Sequence, residues 1–209
     1  MGFVKDTEIE ERIRGMIVRL VGPDSAGGID FRLMDYQDPD FSFRMKVWFD
    51  GPSRHLIVIH SAAREMLSSR EGEEIVFAAL AHEIGHVIDI RKIGFTGFYS
   101  LVPLLEKAPA FLRKCAYPLL PHLQFFFGCW PRAECRADGY AVELLGSVYS
   151  NPTQIVARQA RFALGNSLPK ASSSCYSRFQ ARVFARLRLR NLRRIELSNH
   201  RGNLRTSEA

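Results

Sequence analysis

The stretch His82-Glu83-Ile84-Gly85-His86 is the part of the sequence that decides the fold. In an α-helix, residues four apart lie one turn from each other on the same face, so both imidazoles point to one side. Two imidazoles on one face can reach a single metal ion, and the glutamate between them can reach a water molecule on that ion. The competing interpretation is that these are two ordinary helix histidines. The residues elsewhere in the sequence distinguish the two interpretations.

The residues before this stretch predict the helix that carries it, over about residues 70–91. Ser68 followed by Glu71 has the form of a capping box. Glu73 and Glu74 place negative charge in the first turn, where the helix dipole favours it. We therefore expect the two histidines to lie well inside a helix.

A third protein ligand is expected, because catalytic zinc sites take three and leave a fourth position for water. Glu134 is the best candidate, and Asp138, one helical turn further on, shares its face. Asp138 would accept a hydrogen bond from the free ring nitrogen of a zinc-bound histidine, which fixes the tautomer. His122 ranks lower because it lies in an apolar run broken by prolines. A solvated helix face is the alternative for the two carboxylates.

Together, the two motifs resemble the HExxH…ExxAD pattern of gluzincin metallopeptidases, and most of all their HtpX-like and CAAX-prenyl-protease-like branch. The resemblance covers most of residues 42–147. It implies a compact zincin fold and a zinc-dependent endopeptidase with one zinc ion per chain. It also implies that His82, His86 and Glu134 are the metal ligands and that Glu83 is the catalytic base.

The chain departs from that family near its last helix. The family often carries a His-Pro pair followed by an arginine, and aligning Arg182 with that arginine puts Tyr176 and Ser177 in place of the pair. A tyrosine hydroxyl can donate to an oxyanion, so Tyr176 and Arg182 are candidate catalytic residues. A surface tyrosine and a surface arginine are the alternative.

Length and composition predict one domain over residues 1–209, with a core at about 7–195 and a loose tail at 196–209. The resemblance implies that this is a metallopeptidase domain. Residues 1–12 are polar and acidic, unlike a signal peptide. The four cysteines form no Cys-x-x-Cys pair, so reduced thiols and a cytoplasmic location are expected.

The order of elements, strands first and helices afterwards, predicts an α+β fold. We expect a small antiparallel sheet, with the strand Leu56–Ile59 as its free edge beside the active-site helix. An extended peptide substrate would add to that edge as a further strand. The predicted helices lie at 7–21, 70–91, 131–147, after Asn151-Pro152, and at 176–195; the predicted strands lie at 30–36, 42–49 and 55–60.

Two further segments suggest contact with a membrane. Residues 93–130 are apolar but hold no uncharged run of 18 residues, so they predict a helical hairpin that dips into a bilayer, or else a lid over the cleft. Residues 151–209 hold twelve Arg and Lys against two Glu, with an arginine at every fourth position from Arg178 to Arg194. A basic amphipathic helix can lie on an anionic membrane at the inner face. Nucleic acid is a less favoured partner, because no aromatic-interleaved basic patch accompanies the arginines.

The sequence therefore predicts a zinc metalloendopeptidase in which Glu83 takes a proton from water and later passes it to the leaving amine. A catalytically idle zincin that binds peptide is one alternative. A membrane-surface adaptor with structural zinc is another, and its closed site would need a fourth protein ligand such as Cys135 or His60.

Overall fold

The computed structural model of the chain describes residues 2–35, 45–49, 55–98, 109–110, 112, 129–167, 183 and 186–198. Within them a small four-stranded open sheet accompanies a larger set of helices, so the predicted α+β class is confirmed. The strands are β1 (Gly2–Val4), β2 (Phe31–Asp35), β3 (Met45–Phe49) and β4 (His55–His60). The helices are α1 (Thr7–Val21), α2 (Pro23–Ala26), α3 (Ala63–Met66), α4 (Arg70–Phe98), α5 (Cys129–Gly146), α6 (Pro152–Ser167) and α7 (186–198).

The sheet is mixed, so the prediction of an antiparallel sheet is wrong. Its strand order is β1-β2-β4-β3. β1 pairs with β2 and β3 with β4 in antiparallel fashion, whereas β2 and β4 run parallel. The cause is the position of β3, which is antiparallel to β4 and lies on the side of β4 away from β2. β4 therefore pairs directly with β2 and runs in the same direction. β1 itself was not predicted, because the N-terminal residues carry no strand pattern.

The free edge of the sheet also differs from the prediction. Leu56–Ile59 belongs to β4, which is hydrogen-bonded to β2 on one side and β3 on the other. Its continuous apolar run suits a strand that is covered on both faces. β3 is the edge strand that packs against α4, and its Lys46 is exposed while Val47 is buried. That alternation is typical of an edge strand with one solvated face.

The first helix forms as predicted and supplies much of the core. Asp6 caps α1 by accepting a hydrogen bond from the backbone N–H of Ile9. Five apolar side chains at helical spacing, Ile9, Ile13, Met16, Ile17 and Leu20, are buried on one face. Gly22 ends the helix with a φ of 79°, a conformation that favours glycine.

Helix α4 is the central element and carries the histidine motif. Every residue of 75–87 is buried, so this part of α4 is covered on all sides. The helix starts after Ser69, whose hydroxyl accepts from the backbone N–H of Gly72 at 3.1 Å. The capping box predicted at Ser68 and Glu71 is therefore wrong by one residue, since the cap is Ser69 and glycine stands three residues on. α4 also continues past the predicted end at residue 91 to Phe98.

Several predictions fall outside the described residues. They are the catalytic candidates Tyr176 and Arg182, the alternative ligand His122, and most of the apolar segment 93–130. Among the helices that the structure describes, none combines the length and the apolar character needed to cross a bilayer.

Candidate metal centre

The site forms where α4 and α5 cross at close range. A side chain at Gly85 would place its Cβ 2.6 Å from the backbone oxygen of Ala137, so only glycine allows this approach. The crossing sets one turn of α4 directly against one turn of α5. As a result, the two histidines of α4 face the two carboxylates of α5.

His82, His86 and Glu134 converge on one point. The Nε2 atom of His82 lies 3.2 Å from Oε2 of Glu134, and the Nε2 atom of His86 lies 3.4 Å from Oε1 of the same carboxylate. One ligand atom from each residue can be chosen so that all three lie within 4.8 Å of one another. The histidines are buried and Glu134 is partly accessible. This group can hold a metal ion, and two imidazoles with one carboxylate form a donor set that suits zinc.

Asp138 fixes the orientation of His82 by binding the ring nitrogen that does not face Glu134. Its Oδ1 accepts from Nδ1 of His82 at 2.9 Å, which leaves Nε2 directed at Glu134. Nδ1 therefore carries a proton, and the 3.3 Å contact between the Arg188 guanidinium and this nitrogen joins two donors. We regard that contact as close packing rather than as a hydrogen bond. The ligand histidine is thus presented as the tautomer that binds metal through Nε2.

Arg188 on α7 reaches into this network and was missed by sequence reasoning. Its guanidinium donates to both oxygens of Asp138, at 2.6 and 2.8 Å, and to Oε1 of Gln159 at 3.1 Å. The arginine side chain is 11% exposed and the Asp138 side chain is fully buried. The alignment with the family predicts Arg182 as a candidate catalytic residue, and Arg182 lies outside the described residues. The available signal was that Arg188 lies out of phase with the four-residue arginine repeat.

Two further polar contacts hold the three helices together around the site. Nε of Arg136 donates to the fully buried carboxylate of Asp89 at 2.7 and 2.9 Å, which joins α5 to α4. Asn191 donates to the backbone oxygen of Cys135 at 3.0 Å, which joins α7 to α5. These contacts surround the candidate ligands with fixed neighbours, so the fold itself sets their geometry.

The protonation states follow from these neighbours. Burial and Arg188 oppose a charge on His82, but its hydrogen bonds to Asp138 and Glu134 outweigh them and raise the His82 pKa to about 9. Burial opposes a charge on Glu134, yet its contacts with His82 and His86 hold the Glu134 pKa well below its usual range. Burial likewise opposes a charge on Asp138, and Arg188 overrides it and lowers the Asp138 pKa. In the metal-free protein, His82 is an imidazolium between two carboxylates.

Glu83 points away from Asp138 and towards the edge of the sheet. Its Oε2 accepts from the backbone N–H of Val47 at 2.7 Å, so this N–H is directed away from β4. Burial raises the pKa of Glu83, while the adjacent His86 and His82 work in the opposite direction. Glu83 therefore lies between the metal ligands and the free edge of β3.

The alternative fourth ligands do not join this group. Cys135 follows Glu134 on α5 but faces elsewhere, and burial raises the pKa of its thiol to about 11. Nδ1 of His60, at the end of β4, accepts from the backbone N–H of Ala62 at 3.0 Å. Within the part of the chain that the structure describes, the ligand group contains His82, His86 and Glu134 and no fourth member.

Comparison of the chain with protein-family models, curated proteins and solved structures finds no match. The chemistry assigned to the site therefore rests on its own residues and their geometry.

Proposed function

We propose that this chain is a zinc-dependent metalloendopeptidase with a zincin fold, similar to the HtpX-like and CAAX-prenyl-protease-like gluzincins. The observation that carries the proposal is the convergence of His82, His86 and Glu134 with Glu83 beside them. Three protein ligands without a fourth are typical of catalytic zinc sites, because structural sites are closed. The nearby presence of a buried glutamate is expected of a hydrolase and is not needed by a purely structural site.

The proposed role of each residue follows from the donor atoms that the site offers. When bound, zinc acidifies water and polarises a carbonyl group. His82, His86 and Glu134 would hold one such ion per chain, and Asp138 with Arg188 would keep His82 in the required tautomer. Glu83 would accept the proton of the attacking water and return it to the leaving amine. Burial raises the pKa of Glu83 towards the range in which it can both accept and release a proton.

The edge strand β3 is the proposed platform for substrate. An extended peptide would add to the sheet beside β3, through backbone hydrogen bonds that read little of the side chains. Among the described strands β3 pairs only with β4, which leaves its other edge free, and the hydrogen bond from the Val47 N–H on that edge places Glu83 beside the proposed peptide. The proposed substrate is therefore an extended segment of peptide or protein. The free thiol of Cys135 agrees with a cytoplasmic location.

A catalytically idle zincin that binds peptide in the same groove is the second candidate. The observation that favours it is the short Val47–Glu83 hydrogen bond, which occupies one oxygen of the proposed base. In that case Glu83 would act as a structural cap of β3. Both candidates require zinc, so only turnover separates them.

Glu83→Gln is the deciding experiment. The variant should keep the fold and one zinc ion per chain but lose hydrolysis of unfolded casein-like and membrane-protein substrates, because an amide cannot take the water proton. Glu143→Gln is the matched control, since Glu143 is an exposed glutamate on α5, and it should keep full activity. Zinc content is measured by mass spectrometry and cleavage by the release of peptide amines. Equal activity in the wild type and Glu83→Gln contradicts the proposed base, and inactivity of the zinc-loaded wild type favours the idle zincin.

A further inference from the structure

Helix α7 has a strongly basic outer face. At 100° per residue, four arginines fall within a sector of about 100°, and two leucines lie in or beside the same sector. The four arginines are exposed, and the leucines are 39% and 54% exposed. The residues of this face, here called the arginine face, are Arg186, Leu187, Arg190, Arg193, Arg194 and Leu197.

The inner side of α7 fixes which way this face points. Arg188 and Leu192 are buried. Arg188 is held by Asp138, and Asn191 donates to the backbone oxygen of Cys135. Rotation of the helix would break these contacts, so the arginine face is directed to solvent by the same helix that completes the site.

The charge of this face is not neutralised by its surroundings. The only acidic residue of 186–198 is Glu196, which is half-buried and lies outside the sector. Among the described residues, no ion pair involves any of the four arginines, whereas Arg12, Arg64, Arg136 and Arg158 each have a carboxylate partner. A surface of this kind attracts a polyanion.

We propose that the arginine face docks the protein on a membrane surface that contains anionic lipid. The exposed leucines favour lipid over nucleic acid, because apolar side chains can enter the boundary between headgroups and acyl chains but gain little from a phosphate backbone. α7 is about 20 Å long, which is enough for its arginines to contact several headgroups at once. The docked face lies opposite Arg188, so docking leaves the contacts of Arg188 in the site intact.

Vesicle sedimentation with the full chain tests the proposal. The protein should bind vesicles of phosphatidylcholine with about a third phosphatidylglycerol, and should not bind vesicles of phosphatidylcholine alone. Arg190→Ser/Arg194→Ser should weaken binding by roughly five-fold per arginine, so about 25-fold for the pair. Leu187→Ser/Leu197→Ser should weaken it as well. Raising the salt concentration should weaken the wild type more than the double arginine variant.

Lys5→Ser/Arg161→Ser is the matched control, because it removes two exposed positive charges that lie outside α7. It should bind like the wild type, and all variants should show the same circular dichroism spectrum. The proposal is overturned if the control loses as much binding as Arg190→Ser/Arg194→Ser, or if the wild type ignores anionic vesicles at low salt. It is also overturned if an oligonucleotide binds through these arginines more tightly than the vesicles do.

Discussion

Glu134 and Asp138 stand one turn apart on the same face of α5, yet their surroundings differ. Glu134 is bordered by two imidazoles and keeps 18% of its side chain exposed. Asp138 is fully buried and receives two hydrogen bonds from Arg188 besides the one from His82. Both carboxylates thus contact His82, but only Asp138 lies within hydrogen-bond distance of Arg188, whose Nη1 is 3.9 Å from Oε2 of Glu134.

The difference favours Glu134 over Asp138 as the carboxylate that the proposed metal ion would bind. The charge of Asp138 is already balanced by a permanent cation, so a metal ion has little to gain there. The charge of Glu134 is balanced by a proton on His82, which a metal ion can replace. The availability of a counter-ion, and not the identity of the carboxylate, separates a ligand from its support.

The largest expected effect is the loss of metal binding in Glu134→Gln. When roughly 10–16 kcal/mol of zinc affinity is shared among three or four ligands, the loss of one lowers affinity on the order of 10³-fold. Asp138→Asn keeps all three ligands and should cost only about 10–100-fold. Competition with a zinc chelator measures both constants, and Glu143→Gln is the control for a neutral amide on α5. A larger loss in Asp138→Asn than in Glu134→Gln would reverse the roles assigned to the two residues.

The second-largest expected effect is that of Arg188→Met, which removes the permanent positive charge beside Asp138. Removing one partner of a buried ion pair leaves the Asp138 charge uncompensated, so the free energy of unfolding should fall by about 3–5 kcal/mol. Arg188→Lys keeps the charge but loses the bidentate contact with Asp138. Its free energy of unfolding should lie between those of the wild type and Arg188→Met. Urea unfolding of the metal-free proteins measures these values. Arg190→Met, two residues further along and on the exposed side of α7, should change stability by no more than about 0.5 kcal/mol.

A second substitution separates the pair from general damage to α7. Arg188→Met combined with Asp138→Asn removes both charges, so the double variant should be more stable than Arg188→Met alone. Additive losses in the double variant would mean that Arg188 stabilises the fold by packing and not through Asp138.

Local spacing explains why the convergence of the candidate ligands could be predicted from the sequence. His82 and His86, like Glu134 and Asp138, share a helix face because of helix geometry alone. Arg188 was not predictable in this way. Arg188 lies out of phase with the arginines that recur at every fourth residue, but that position alone does not show that it turns inward to a particular partner. Its role comes from a contact with a residue fifty positions away.

The sheet shows the same limit. The strands at β2, β3 and β4 were predicted from their apolar patterns. β4 has the predicted ends, β3 ends at the predicted residue, and β2 begins one residue later than predicted. The predicted antiparallel pairing and the predicted free edge were wrong, because pairing between distant strands follows from how the chain packs and not from any one strand. One local signal was present, since the unbroken apolar run of β4 suits an inner strand better than an edge. The hydrogen bond between the Val47 N–H and Glu83 could not be predicted without the correct strand order.

The smallest expected effect concerns the proton that stands in for the metal ion at Glu134. The pKa of His82 is about 9 in the folded metal-free protein, compared with 6.5 for an ordinary histidine. A raised folded pKa contributes stability that is complete below pH 6.5 and is lost as the pH rises through 9. The free energy of unfolding of the metal-free protein should therefore fall, on the order of 1–3 kcal/mol, between pH 6.5 and pH 10. Urea unfolding in the presence of a chelator measures the change. Because Asp138 supports the proton on His82, Asp138→Asn should reduce this fall, and an undiminished fall in that variant would contradict the assigned role of Asp138.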